Sequence, residues 1–299
     1  MSIAYAHAGE VHLGLSWTDL LTHFTLDPVF LPPMVLLVWL YLRGLRLRRE
    51  RRMILPTWRV VCFGAGVVAL ALGLFSGLDI LAESSFTGHM IQHMLIMQVG
   101  TPLLLLGAPF LPVVRGLPRV LRWKAFVPMA NARWVRGPVL MLFRPVPAFA
   151  VYALVFAFWH LPGFHNAAIR SDFFHYLQHA SFGLGSLFFW WNLISPYPFT
   201  TRLNPFMRVG WLFLISVVNT AVSSVVTWSK GVLYNYADTE RYLGLSPMND
   251  QALGGALMWV MGGMLYLTAI GAIFAVYAAG ETAKEPGRGK VLSDVPRRA

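Results

Sequence analysis

Gly88–Gln98 reads GHMIQHMLIMQ, and its spacing decides how the rest of the chain is read. At about 100° per residue a helix places His89, His93 and Met97 along one edge, with Met90 and Met94 beside them. The H-x-x-Q-H pattern returns as HYLQH at His175–His179. Both copies open long apolar runs, so two imidazole pairs are expected at the mouths of two membrane helices.

Seven apolar runs can be traced outward from this stretch: 28–45, 58–77, 88–110, 145–161, 175–194, 208–228 and 250–279. The chain is 57% hydrophobic and only 12% charged, with a mean hydropathy of +0.58. Runs near 20 residues separated by basic segments describe an all-α, polytopic membrane helix bundle with seven transmembrane helices. The expected organisation is an outer segment over 1–27, a seven-helix domain over 28–279 and a basic tail over 280–299. Prolines and glycines between Arg115 and Arg144 predict an irregular, surface-lying connection there. The first residues, MSIAYAHAGEVHLG, lack the basic start and apolar core of a complete signal peptide.

The net charge of +11 does not indicate nucleic acid, because the basic residues cluster between apolar runs. With the N-terminus outside and the C-terminus inside, 21 of the 24 Lys and Arg fall on inner segments, as the positive-inside rule requires. All nine histidines and nine of the thirteen acids then fall on the outer side or in the outer half of the spans. Cys62 stands alone in an apolar run, which leaves no disulfide framework and no thiolate cluster. Two hairpins, each with a second helix starting H-x-x-Q-H, suggest an internal repeat about an axis along the membrane normal.

Neutral imidazole is the commonest protein metal ligand, and two at i and i+4 can share one ion. Polar groups within hydrocarbon are costly and usually face a bundle interior. If the third and fifth runs are neighbours, His89, His93, His175 and His179 converge, with His160 at the same depth. Gln92 and Gln178 are placed to orient ligands. Carboxylates are scarce in the runs, which disfavours a di-iron site. The thioethers of Met90, Met94 and Met97 beside imidazole suit copper, above all Cu(I), while zinc stays open on ligand type. A bis-histidine haem is a further alternative, taking at most one ligand from each pair. The plainer readings are interhelical hydrogen bonding for the paired histidines and packing for the methionines. His7, His12, His23 and His165 read as single interfacial hydrogen-bonding anchors. Asp250, ahead of the glycine-rich GGALMWVMGG, reads as a helix cap.

The segments HMIQHMLIMQVGTPLLLLGAP, WHLPGFHNAAI, HYLQHASFGLGSLFFWWNLI and DQALGGALMW occur in this order. Together they resemble the multi-span CtaG family of caa3-type cytochrome c oxidase assembly factors, over residues 28–279. The resemblance implies a multi-pass protein of the bacterial plasma membrane that helps build a haem–copper oxidase and is not an enzyme. Its partners would be membrane lipid and oxidase subunits, its cargo copper. Carried over to this chain, the motif histidines are His89, His93, His160, His175 and His179. With Met90, Met94 and Met97 they make up the expected metal-ligand set. A copper transporter or permease is the alternative, although only Asn192, Asn219 and a few hydroxyls would continue a route inward.

Overall fold

The computed structural model describes residues 24–50, 55–200, 203–236, 240 and 243–284. His7, His12, His23 and most of the expected N-terminal segment and basic tail lie outside the described residues. The regular elements among the described residues are all helices, with one isolated bridge between Phe24 and Ser76.

The seven apolar runs each fall on a helix. In chain order these are α1 (Leu31–Glu50), α2 (Thr57–Phe75), the short α3 (Leu78–Ser84) and α4 (Phe86–Leu106). Next come α5 (Phe110–Gly116), α6 (119–131), α7 (Arg133–Leu142), α8 (Pro145–Trp159), α9 (Pro162–Arg170) and α10 (Asp172–Ile194). The last two are α11 (Pro205–Thr227) and α12 (Pro247–Lys284). Four helices are long and apolar enough to cross a membrane: α2, α4, α11 and α12 over Pro247–Thr282. A fifth joins them if α7 and α8, bent by 71°, count as one. The remaining runs fall short for physical reasons. α8 has 15 residues, about 22 Å, against a hydrocarbon core of about 30 Å. α1 ends in the arginine-rich RGLRLRRE, and α10 begins with the polar DFFHYLQH.

The connection over 115–144 is helical in short pieces rather than irregular, with a π turn over Arg122–Phe126, and it is largely exposed. Pro162 does not follow α8 as a simple stop. It opens α9, where its missing N–H costs nothing.

The structure extends the resemblance between the two hairpins beyond the motif. α2–α3–α4 and α8–α9–α10 both run long helix, short helix, motif helix. One extended serine breaks the chain before each motif helix: Ser85 at φ −147° and Ser171 at φ −143°. Counting from Phe86 and Asp172, the histidines occupy the same positions in α4 and α10.

Two devices hold these helices in register. The first four N–H groups of a helix need partners from elsewhere. At α4, Ser85 N donates to Leu81 O (2.9 Å), and Ser85 Oγ accepts from Gly88 N (3.1 Å). Asp250, from α12, accepts from Phe86 N (2.7 Å) and Thr87 N (3.1 Å). Asp250 is therefore a cap, as expected, but of α4 rather than of its own helix. Ser246 caps α12, accepting from Asn249 N (3.3 Å). Gly254 makes the approach possible, since a Cβ there would strike the Phe86 ring.

The second device is a π turn over Leu95–Gly100 in the middle of α4. Thr101 N donates five residues back to Ile96 O, and Pro102 has no N–H to give. The Met97 carbonyl is left without a donor from its own helix. Ser186 Oγ (2.6 Å) and Trp190 Nε1 (2.9 Å) of α10 supply it, which locks the two motif helices together.

Removing the Asp250 carboxylate would strand two buried N–H groups that now donate to it. Asp250→Ala should destabilise the protein by ~2–4 kcal/mol, and Asp250→Asn by less. Thermal unfolding in detergent checks this; an unchanged midpoint in the alanine variant would mean that water replaces the cap.

Candidate metal centre

α4 and α10 face each other at the end of the bundle where Asp250 grips α4. One ligand atom from each of His89, His175 and His179 lies within 4.8 Å of the other two. The ring centroids are 4.3 Å apart for His175–His179, 5.6 Å for His89–His175 and 6.1 Å for His89–His179. Nitrogens sharing one tetrahedral ion stand about 3.3 Å apart, so small side-chain rotations would close the set. His89 Nδ1 donates to Ala82 O (3.2 Å). A neutral imidazole donates only once, so its Nε2 keeps a lone pair, which faces the Gln178 side chain. His179 Nε2 is buried and has no hydrogen-bond partner.

The other expected ligands fall into a second group. His93 lies beside the triad, its ring centroid 4.3 Å from His89 and 5.4 Å from His179. His93, His160, Met90, Met94 and Met97 line a small cavity deeper in the bundle. The three methionines are buried there and are not gathered around the histidine triad. Gln92 points the other way, donating to Gly73 O and Asp79 Oδ1, both at 2.8 Å.

A carboxylate-lined mouth leads toward the triad. Asp27, Asp79, Glu83 and Asp172 border a cavity of about 20 Å³ together with His175 and His179. Burial pushes the Asp79 carboxyl up to about 6 from an ordinary value of 3.8, and neighbouring Asp27 adds to the rise while the Gln92 bond opposes it.

Several residues of this end were not visible in the sequence. His165 was expected at the membrane interface, but α9 carries it into the cluster, fully buried and 5.0 Å from His89. It is nonetheless a hydrogen-bonding histidine, donating from Nδ1 to Trp159 O (3.3 Å) and accepting at Nε2 from the Tyr236 hydroxyl (2.9 Å). Burial, with His89 beside it, holds its pKa well below the usual histidine value, so it stays neutral. Tyr234 stacks on Phe86 at 4.5 Å and donates to His160 O (2.7 Å). These two tyrosines fold the α11–α12 loop over the cluster, and Gln251 pins that loop by accepting from Leu233 N (2.6 Å). No helical spacing encodes such a cover; only the aromatic pair in LYNY hints at it.

The profile of the cytochrome c oxidase caa3 assembly factor family matches residues 39–279. The chain belongs to that family. The matched span contains every histidine of the centre and the whole of the Asp250 clamp. Relatives include an uncharacterized protein of Mycobacterium leprae (strain TN), 23% identical over 75% of this chain and 34% of its own length. Uncharacterized proteins of Mycobacterium bovis and Mycobacterium tuberculosis are each 25% identical over 73% of this chain and 34% of theirs. The chain thus spans about a third of the length of these relatives. No solved structure matches it.

The raised Asp79 pKa has a consequence of definite sign. Its charged form is disfavoured in the fold, so this group weakens stability as pH rises from about 4 through 6. Asp79→Asn should raise the unfolding midpoint by ~2–6 °C at pH 7.5, with the gain shrinking as pH falls through 6. A gain independent of pH would show that the substitution acts through packing.

Proposed function

We propose that this assembly factor holds copper as cargo at the His89–His175–His179 centre and hands it to a cytochrome c oxidase subunit. The observation that carries the reading is the convergence of three imidazole donors from two helices, within 4.8 Å of one another. Imidazole donors suit copper, and the family's link to a haem–copper oxidase favours copper over zinc. The protein acts by binding and release rather than by turnover.

The topology that goes with this reading is seven spans in the bacterial plasma membrane, N-terminus outside and C-terminus inside. It counts α1, α8 and α10 as spans beside the four apolar helices, their polar ends reaching the headgroups. The exposed apolar faces of α2, α11 and α12 support immersion in lipid. The distribution of arginine sets the orientation, which puts the carboxylate mouth at the outer surface. A cation is drawn into the mouth by Asp27, Asp79, Glu83 and Asp172 and meets His175 and His179 at its floor.

An exchangeable cargo site needs ligands that are held in place yet not tied up. His89 has its proton fixed on Nδ1 by Ala82, and its Nε2 would exchange the Gln178 side chain for the ion. His179 offers a nitrogen that makes no hydrogen bond. The haem alternative loses support from the space available: the cavities against these histidines are about 10–20 Å³. A macrocycle needs a pocket of several hundred.

A second reading, a copper permease, is favoured by one observation. A cavity of about 620 Å³ opens in the opposite half of the bundle and is bordered by Gln98, which also borders the methionine-lined cavity. The 620 Å³ cavity is mostly apolar, with Arg208 at its rim, and a cationic group there opposes passage of a metal ion.

His175→Ala/His179→Ala should lower the copper bound to detergent-purified protein and the copper content of oxidase assembled in cells carrying the variant. Metal analysis and oxidase activity check both. Oxidase of normal copper content would leave an assembly scaffold whose histidines serve helix packing.

A further inference from the structure

The deeper cavity has its own chemistry. It is lined by the thioethers of Met90, Met94, Met97 and Met258 and by the imidazoles of His93 and His160. His160 Nδ1 donates to Phe156 O (2.6 Å), which fixes its proton, and His160 Nε2 is buried without a partner. His93 is 4% exposed, and neither of its ring nitrogens has a hydrogen-bond partner. Burying a polar group unpaired is costly, so unpaired nitrogens on both histidines of one cavity point to an occupant. The cavity measures about 10 Å³, room for a single water or a single small ion.

We propose that this cavity is a second metal site, distinct from the histidine triad and built for a soft monovalent ion such as Cu(I). The proposal rests on the copper-cargo reading of the triad. The ligand set decides the charge class. Thioether and neutral imidazole bring no negative charge, and the lining contains no carboxylate. The cost of burying an ion grows with the square of its charge, so uncompensated burial of a divalent ion is penalised about fourfold more. Thioethers add the preference for a soft ion. The triad, with four carboxylates at its mouth, carries no such restriction.

His93 connects the two sites. Its ring lies 4.3 Å from His89 and 5.4 Å from His179, yet it borders the methionine cavity rather than the carboxylate mouth. An ion can therefore exchange ligands one at a time, leaving the triad nitrogens for His93 and then for sulfur. The ion stays monovalent throughout, and no electron is transferred. Met258 enters the set from α12, far in sequence from both histidine motifs; the Asp250 clamp on the same helix brings it there.

The test is anaerobic loading of the detergent-purified full chain with Cu(I), and separately with Ag(I) and Zn(II), followed by metal counting and X-ray absorption. The wild type should bind two equivalents of Cu(I) or Ag(I), with sulfur among the ligands, but one of Zn(II). Met90→Leu/Met94→Leu/Met97→Leu/Met258→Leu, which nearly conserves volume, should keep one Cu(I) with nitrogen ligands only. His175→Ala/His179→Ala should keep one Cu(I) with sulfur ligands and lose Zn(II). A wild type holding one Cu(I) without sulfur would overturn the second site, with water as its occupant, and leave the triad reading standing. Loss of all copper, sulfur-bound included, in the histidine variant would show one mixed site and overturn the proposal. A wild type that binds no copper would sink both readings.

Discussion

The start of α4 has to bury its N–H groups, and Asp250 is what makes that possible. A helix end placed inside a bundle cannot turn to water for its donors, and Ser85 alone accounts for only part of them. The carboxylate of Asp250 takes Phe86 N and Thr87 N together. It is favoured there both by the direct bonds and by the positive end of the helix dipole. Everything at the histidine end depends on that contact. It fixes the height and rotation of α4, hence the direction of His89 and His93. It also draws α12 against α4 closely enough to require Gly254, which brings Gln251 under the tyrosine loop and Met258 to the inner cavity.

The π turn completes the placement from the other end of α4. A regular helix through Met97 would have given its carbonyl the N–H of Thr101, and α10 would have had nothing to bind. The shift of one hydrogen bond back to Ile96, together with Pro102, turns a backbone acceptor outward toward Ser186 and Trp190. The histidine pair of α10 lies two to three turns from Ser186, on the same rigid element. Errors in the relative height of α4 and α10 would be passed undiminished to the triad, so a pinned register is needed wherever two helices share one ion.

The sequence made much of this legible. Helical periodicity put His89 and His93 on one edge, which follows from regular helix geometry, and all seven apolar runs became helices for the same reason. That the four motif histidines converge was conditional on the third and fifth runs being neighbours, which only the tertiary structure supplies. What was hidden depended on contacts between distant segments. Nothing local in D-Q-A-L-G-G states that the aspartate caps another helix. The short helix α9 was masked by Pro162, which reads equally as a stop or a start, and so His165 was placed at the surface instead of in the core. The methionines read correctly as neighbours of the histidines in α4, but period alone could not show that they turn to a separate cavity. The π turn left only a faint trace, a threonine and a proline following Gly100.

A site for cargo differs from a structural site in how completely its groups are satisfied. Buried imidazoles that serve only to join helices should have both nitrogens engaged, as His165 does through Trp159 and Tyr236. His89 also has both nitrogens engaged, through Ala82 O and the Gln178 side chain. Other neighbours depart from that rule in a graded way: His160 and His179 each leave Nε2 unpaired, and His93 leaves both nitrogens unpaired. The contrast lies within one cluster, under the same burial, so burial is not its cause. On the proposed reading, the stability given up at those nitrogens would be recovered when an ion binds. The fold tolerates the deficit because the clamp, the π turn and the tyrosine cover fix the helix positions without using the unpaired nitrogens of His93, His160 and His179. That separation, between residues that hold the bundle together and residues left free to bind, is the physical argument for reading the cluster as a binding centre rather than as packing.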